Sequence, residues 1–216
     1  MKKLSVSLFM LTVITLLCAE DFSFMDDFSK YTTEGSVTAN WMLASDKWKV
    51  VNGAFTSLCE GKEFTVVKNA PAGTDIKAEA VITIKKGLAD QWKIAGVIIF
   101  QNPSNYWHVA LVEGPKQFKE AHFIELSQNY NGQWNYNKNV NTIDEKSISE
   151  WKFNTPYRVR LVMNTAGITG TVKAMDGSLV WEKQLQFTAD AVKSGKPGVD
   201  SSYVDSEFRE FRTKVK

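Results

Sequence analysis

Most of this chain alternates between apolar and polar residues, which predicts an all-β fold: an antiparallel two-sheet β-sandwich, or jelly roll. Residues 76–85 and 157–164 show the alternation most clearly. Successive side chains of a strand point to opposite faces, so this pattern places apolar residues on one face of a sheet. Helical periodicity is nearly absent. The one short helix that the pattern predicts covers residues 189–194, with Thr188 as N-cap and Gly195 after its end.

Turn signals separate the predicted strands. Asn52-Gly53, Asn131-Gly132 and Asp176-Gly177 each lie between two strand-like segments. These dipeptides favour the two-residue hairpin turn, which needs positive φ at both central positions. Residues 94–100 differ from the other segments because they are apolar throughout. We therefore expect a central strand there, covered on both faces.

The first 19 residues have the order of a secretory signal peptide. Lys2 and Lys3 provide a positive start, residues 4–17 form an uncharged apolar run, and Ala19 offers a small residue for cleavage. The run is shorter than the roughly 20 residues that a membrane-spanning helix needs. We expect a signal peptide at 1–19 and a single domain at 20–216, located outside the cell, in a periplasm or at the cell surface.

The two cysteines bear on this expectation. Lipidation at Cys18 would be the alternative, but Leu17 is large where lipoprotein signals prefer a small residue. If Cys18 is removed, Cys59 has no partner for an intramolecular disulfide. Cys59 ends a strand-like segment, so we expect a buried core residue rather than a reactive thiol.

Charge limits the classes of partner. The chain has 26 basic and 24 acidic residues, and loss of Lys2 and Lys3 leaves 24 of each. A formally neutral domain argues against nucleic acid, which needs a basic surface, and gives no support to binding at anionic membranes. After the signal, no second apolar run is long enough to span a membrane. The sequence does not predict an oligomeric state.

Several segments, in this order, resemble the concanavalin A-like lectin/glucanase superfamily, in particular its bacterial laminin-G-like and keto-glycoside-hydrolase-like domains. The matching segments are DDFS at 26–29, WKVVNG at 48–53, AGVIIF at 95–100, NYWHV at 105–109, GQW at 132–134, YRVRL at 157–161, GKPGV at 195–199 and EFREF at 207–211. The resemblance spans nearly all of residues 20–216 and implies the sandwich fold. It does not imply one function, because the superfamily includes lectins, hydrolases, lyases and adhesion modules.

The sequence departs from the superfamily's pattern at two places. Gln101 stands where members often have Arg or Lys, which removes a charge from the face implied to bind ligand. Arg209-Glu210 stands where acidic residues are common, which weakens any inherited metal site.

Aromatic residues beside amides form the clearest candidate binding sites. Sugar rings stack on aromatic side chains, and their hydroxyls bond to nearby amides and carboxylates. Residues 101–108 and 128–137 have this composition, whereas Trp48, Trp151 and Trp181 lie on apolar patterns and are expected in the core. The predicted ligand-binding residues are Gln101, Tyr106, Trp107, Trp134 and Tyr136.

Catalytic chemistry has three candidate residues, His108, His122 and Glu125. A histidine beside a carboxylate can act as an acid–base pair in glycoside hydrolysis or elimination. However, structural histidines are also common, and the Glu-x-Asp-x-Glu strand of this fold's glucanases is missing. Glycosidases usually need two carboxylates across the scissile bond.

A structural Ca²⁺ is the only cofactor that the sequence raises. Sandwiches of this class often hold one where the terminal strands meet, and Ca²⁺ requires hard oxygen ligands. Acidic residues near the two ends of the domain are candidates, although they lack the spacing of a calcium loop; they are Asp21, Asp26, Asp27, Asp200 and Asp205.

Three functions remain open at this point. The first is a secreted, non-catalytic module that binds an oligo- or polysaccharide. The second is a glycoside hydrolase or lyase of the keto-glycoside-hydrolase-like group. The third is an adhesion or structural module that binds protein. A shallow aromatic groove favours the first, a deep cleft with histidine and carboxylates the second, and a flat apolar patch the third.

Overall fold

The computed structural model describes residues 21–31, 36–134 and 151–216 of the chain. Within these residues no helix is long and apolar enough to cross a membrane. Two short 3-10 helices, Ser36–Ala39 and Lys116–Phe118, accompany the strands. The strands are β1 Phe22–Asp26, β2 Trp41–Met42, β3 Trp48–Val51, β4 Ala54–Val67, β5 Ile76–Gly87, β6 Lys93–Asn102, β7 Asn105–Glu113, β8 His122–Tyr130, β9 Gln133–Trp134, β10 Tyr157–Met163, β11 Gly167–Ala174, β12 Leu179–Gln186 and β13 Lys196–Val215.

One long strand, β13, joins the two sheets of the sandwich. The front sheet has the order β4-β13-β6-β7-β8-β9, and the back sheet has the order β12-β11-β10-β5-β13-β1; all neighbours are antiparallel. The register of β13 shifts near Tyr203 and again near Glu210, and both residues have positive φ. Such bulges bend a strand, which lets β13 leave the front sheet and enter the back sheet. The predicted all-β jelly roll is confirmed.

The core lies between the two sheets and follows the predicted alternation. On β5 the even-numbered residues from Ile76 to Ile84 are buried, while Lys77 is exposed. Residues 94–99 are buried on both faces of β6, as expected for a central strand. The predicted core tryptophans are confirmed; they are Trp48, Trp151 and Trp181. Cys59 is a free, buried core cysteine, and burial raises the pKa of its thiol to about 12.

Two of the local predictions were wrong. Asn52 and Gly53 both have positive φ as expected, but in the Asp176-Gly177 turn only Gly177 does. This turn is closed by the Ala174 N–H, which donates to the Ser178 carbonyl, and by the Gly177 N–H, which donates to the Ala174 carbonyl. It is therefore longer than a two-residue hairpin loop.

The helix expected at 189–194 does not form. Side chains from the front sheet bind the backbone of this segment instead: the Trp107 indole donates to the carbonyl of Val192, and the Gln128 amide oxygen accepts from its N–H. These tertiary contacts replace the bonds that a helical turn would provide.

Candidate functional site

The two faces of β7 separate a binding surface from the core. Trp107 points inward, is 1% exposed and donates its indole N–H to the Val192 carbonyl at 2.8 Å. The prediction that Trp107 stacks on a ligand is therefore corrected. Its neighbour His108 points to the outer face of the front sheet, since adjacent strand residues face opposite ways. The candidate site is built around His108.

His108 bridges two carboxylates from different strands. Its Nδ1 lies 3.0 Å from Asp200 Oδ2 on β13, and its Nε2 lies 2.9 Å from Glu125 Oε1 on β8. His108 and Asp200 are both completely buried, whereas Glu125 keeps an exposed edge. A protonated imidazole donates to both acceptors, and this arrangement compensates for the cost of burying the charges.

A glycine makes the approach of Asp200 to His108 possible. Gly96 on β6 lies between Asp200 on β13 and Ala110 on β7 in the strand register. A Cβ at Gly96 would meet Asp200 Oδ1 at 2.7 Å and the Cβ of Ala110 at 2.8 Å, both well inside van der Waals contact. The small side chains of two neighbouring strands thus leave the space in which the charged groups meet.

Lys62 on β4 adds a second positive charge, under an aromatic cover. Its Nζ lies 3.6 Å from Asp200 Oδ2, 4.1 Å from the ring centroid of Trp134 and 4.9 Å from that of Tyr106. The Nζ atom is buried and makes no hydrogen bond to any described residue. Cation–π contacts of this kind stabilise an ammonium group that has left water. They do not use its N–H groups, whose hydrogen-bonding capacity no described residue satisfies.

Electrostatics favour the charged forms of His108 and Asp200. Burial alone lowers the pKa of His108, but Asp200 and Glu125 outweigh it and the pKa rises. Burial raises the pKa of Asp200, but the positive charges of His108 and Lys62 outweigh burial, so the pKa of that carboxyl falls. For Lys62, desolvation prevails and lowers the pKa of the ammonium despite the neighbouring carboxylates.

A pocket of about 360 Å³ opens beside this charged cluster. Its polar lining comes from Lys62, Gln91, Glu125, Ser127 and Ser202. Its aromatic lining comes from Trp92, Phe123, Trp134 and Tyr203, and Ile94 and Val112 complete the pocket. Trp92 and Trp134 are 38% and 43% exposed, so their rings are accessible from solvent. The β13 bulge at Tyr203 sets the direction of that side chain. Aromatic walls next to a few polar groups are typical of small-molecule binding sites.

The predicted ligand-binding residues have different positions. Trp134 lines the pocket. Tyr106 lies beneath it, 1% exposed and edge-on to the Trp134 ring at 5.6 Å between centroids, so it supports the pocket rather than lining it. Gln101 is exposed at the end of β6, where its amide donates to Ser194 Oγ at 3.0 Å. Tyr136 lies outside the described residues.

The three catalytic candidates do not form one site. His108 and Glu125 are in direct contact, but His122 lies at the end of the core, on the inward face of β8. Its ring stacks on Trp151 at 4.1 Å, Nδ1 donates to the carbonyl of Trp151, and Nε2 is 3.1 Å from Glu113. His122 therefore has no contact with the pocket beside His108.

The five metal candidates do not come together either. Asp26 accepts from the Tyr31 hydroxyl and the Trp41 indole, and Asp27 accepts from Ser29 in a turn. Asp200 belongs to the His108 cluster, and neither Asp21 nor Asp205 joins it in a group that could hold a metal. Among the described residues, no group of three His, Cys, Asp or Glu side chains has the arrangement of a metal site.

The sequence did not identify several lining residues, and it assigned Asp200 to a metal. Gly96 carries a signal that could have indicated the site. A glycine inside an apolar run is unusual, and a strand glycine marks close approach of another group. The positions of Trp92, Ser202 and Tyr203 follow from tertiary packing and have no comparable signal.

Solved structures share this fold at low sequence identity. No protein-family model and no curated protein matches the chain, while 236 chains of known structure do. The carbohydrate-binding module CBM66 from Bacillus subtilis matches with a TM-score of 0.59 and 14% identity, over 81% of this chain and 95% of that chain. The winged bean acidic lectin, solved with methyl-α-D-galactose, matches with a TM-score of 0.60 and 10% identity, over 90% of this chain and 98% of that chain.

An enzyme is also among these structures. A xylan β-1,4-xylosidase from Bacillus halodurans matches with a TM-score of 0.60 and 11% identity, over 88% of this chain. The chain spans 38% of that enzyme's length, so the likeness covers one part of it. Together these matches show that the chain has the concanavalin A-like β-sandwich fold.

Proposed function

We propose that this protein binds carbohydrate in the pocket beside His108, on the outer face of the front sheet. One observation carries the proposal: exposed tryptophans stand beside a floor of buried, mutually compensated charges. The fold is also that of carbohydrate-binding modules and lectins. Fold alone does not define function, so the residues of the pocket have to account for binding.

The lining residues match the chemistry of a sugar. The flat C–H face of a pyranose can pack on the exposed ring of Trp134 or Trp92, with an aromatic wall opposite. Its hydroxyls can donate to the free edge of Glu125 and accept from the ammonium of Lys62, which has no hydrogen bond in the described structure. Because these charged groups are fixed by His108 and Asp200, little conformational entropy is lost on binding.

The balance of charge at the floor favours an uncharged ligand. In their formal charged states Lys62 and His108 are positive and Asp200 and Glu125 are negative, so these charges cancel. A ligand carrying its own charge would upset that balance and would have to be desolvated. We therefore expect neutral sugar residues, and the volume of about 360 Å³ fits a short segment of a chain.

A glycoside hydrolase or lyase is the second candidate, favoured by the Asp200–His108–Glu125 network itself. In that case Glu125 would act as acid or base, positioned by His108. Hydrolysis in most glycosidase families needs a second carboxylate across the scissile bond. Among the described residues lining the pocket, Glu125 is the only carboxylate. Binding without turnover is therefore the function that the geometry supports better.

The test is a screen of the purified protein against neutral oligo- and polysaccharides, with affinity measured by calorimetry and products analysed by mass spectrometry. Trp134→Ala should weaken binding at least about tenfold, since truncating a buried aromatic anchor typically costs more than about 1.4 kcal/mol. Leu179→Ala is the matched control, because Leu179 is exposed on β12 of the other sheet. It should leave affinity unchanged.

Glu125→Gln separates the two functions. Loss of affinity without any product supports the binding module. Product formation by the wild type that disappears in Glu125→Gln would establish the enzyme instead. If no glycan binds or reacts, or if Leu179→Ala weakens binding as much as Trp134→Ala does, the pocket is not the site.

A further inference from the structure

A second polar surface lies on the outer face of the back sheet, where β10, β5, β13 and β1 run side by side. Six basic side chains point outward there: Lys77, Arg158, Arg160, Arg209, Arg212 and Lys214. We call this group the basic face. It shares no residue with the pocket beside His108.

The acidic residues of the basic face are already paired. Arg158 lies 3.0 Å from Glu79 and 3.0 Å from Glu210, and Arg212 also approaches Glu210 at 3.4 Å. Lys77, Arg160 and Lys214 make no ion pair with any described residue. Arg209 is paired with Glu207 at 3.5 Å. The six basic side chains and the three acidic ones, Glu79, Glu207 and Glu210, leave a local excess of three positive charges on a domain that is formally neutral at 20–216.

Two of the unpaired charges face each other directly. Lys77 on β5 and Lys214 on β13 are partners in the strand register, so their Cβ atoms are only about 5 Å apart. Like charges in this position destabilise a sheet. An anion placed between them would remove that repulsion and gain contacts with both ammonium groups.

The charges surround a depression of about 430 Å³ lined by Met25, Lys77, Arg160, Arg212 and Lys214, among others. Lys77 and Glu79 are two residues apart on β5, and Arg160 and Arg212 lie opposite Glu79 in the strand register, one on each neighbouring strand. The four basic groups that line the depression therefore occupy two adjacent rows across three strands, about 7 Å apart along the strand direction.

We propose that the basic face binds an anionic polysaccharide, one that carries carboxylate or sulfate groups. Arg and Lys form charge-assisted hydrogen bonds with such groups, and Arg can do so in a bidentate manner. The outward neighbours Ser23, Met25 and Val162 offer no ring on which a nucleic-acid base could stack. The basic face is also too small, and the domain too close to neutral, for the extended phosphate contacts of duplex DNA.

The basic face differs from the pocket in its ligand. The pocket has a compensated floor and aromatic walls, which select neutral sugars by stacking. The basic face has uncompensated charge and no exposed aromatic ring among these outward neighbours, so it selects by charge and its affinity falls with salt. The two surfaces lie on different sheets and can be occupied together.

The experiment measures retention and affinity of the purified protein on dextran sulfate and on polygalacturonate at low salt, with unmodified dextran and a DNA duplex as comparison polymers. The test variant is Lys77→Gln with Arg160→Gln and Lys214→Gln. The matched control removes three exposed lysines elsewhere, Lys47→Gln, Lys119→Gln and Lys193→Gln. Both triple variants have the same net charge.

The basic-face variant should bind at least one of the two anionic polysaccharides about tenfold more weakly than the wild type, and the control should stay close to the wild type. Trp134→Ala should bind the anionic polymer normally, which keeps this result distinct from the pocket. Equal losses in both triple variants would overturn the proposal, since net charge would then explain retention. Failure of the wild type to bind either polyanion, equal binding to unmodified dextran, or tighter binding to DNA would overturn it as well.

Discussion

Two clusters of this protein each combine a histidine, a lysine and carboxylates, but they differ in what they can bind. Around His108, two carboxylates and Lys62 lie on the outer face of the front sheet, next to an aromatic pocket. Around His122, Glu113 and Lys93 lie on the inward face at the end of the core, where Glu113 contacts both Lys93 and His122 and the imidazole stacks on Trp151.

The surroundings of each cluster decide what it can do. The His122 ring and its two nitrogens are all engaged, by Trp151, its carbonyl and Glu113. It acts as an anchor for the chain at Trp151. The His108 cluster keeps an exposed carboxylate edge and an ammonium without hydrogen bonds, and both border the pocket. A histidine beside a carboxylate can thus bind a ligand only where the cluster still has a donor or acceptor without a partner.

The largest effect expected from this comparison is on stability. Asp200→Asn removes the negative charge that lies between His108 and Lys62, so that Lys62 loses its ion pair and Glu125 is the only carboxylate left on the buried His108. We expect a loss of about 3–5 kcal/mol in the free energy of unfolding, measured by denaturant titration. Asp205→Asn is the control on the same strand, because Asp205 is only partly buried and makes no ion pair with a described residue. A change below about 1 kcal/mol for Asp200→Asn would mean that the cluster is not charged.

The second effect is on the pH dependence of stability. The pKa of His108 is raised above 6.5, so its contribution is fully present below pH 6.5 and is lost as the pH rises through the folded-state pKa. The pKa of Asp200 is lowered below 3.8, so its contribution is present above pH 3.8 and is lost as the pH falls through the folded-state pKa. Stability from the cluster should therefore be greatest between these two pH values.

Unfolding measured from pH 6 to pH 9 checks the upper limit. The wild type should lose about 1.4 kcal/mol for each unit by which the pKa of His108 is raised within this range. His108→Gln should lack this loss, and His122→Phe should keep it. If His122→Phe abolishes the loss instead, the titrating group belongs to the other cluster.

The smallest effect is expected at His122. His122→Phe keeps a ring to stack on Trp151 but removes the hydrogen bonds to its carbonyl and to Glu113, which still has Lys93. We expect a loss of about 1 kcal/mol in the free energy of unfolding and no change in affinity for glycan in the pocket. A large loss of glycan binding in a variant that remains folded would show that the end of the core communicates with the pocket.

The sequence predicted the fold more accurately than the site. Period-two alternation, the Asn-Gly turns and the apolar run at 94–100 were sufficient for an all-β sandwich, because each depends on residues close together in the chain. Predictions failed where residues far away in the sequence make the deciding contacts. At residues 189–194, the side chains of Trp107 and Gln128 bind the backbone.

The site was only partly predictable for the same reason. His108 and Glu125 were identified from their types, and Trp134 from its neighbours. Trp107 and His108 could not both face one ligand on a regular strand, although the alternation does not say which one does. Asp200 was assigned to a metal because nothing local links β13 to β7.

By itself, the sequence determined which elements form and which residues can share a face, since both depend on spacing along the chain. Only the tertiary structure decided which faces are outside and which strands are neighbours. That decision brought Asp200 across Gly96 to His108, placed Lys62 beneath Trp134, and left His122 at the end of the core. The physical reason is that strand order and register are set by packing of the whole sandwich, and a side chain becomes part of a site only through neighbours that packing supplies.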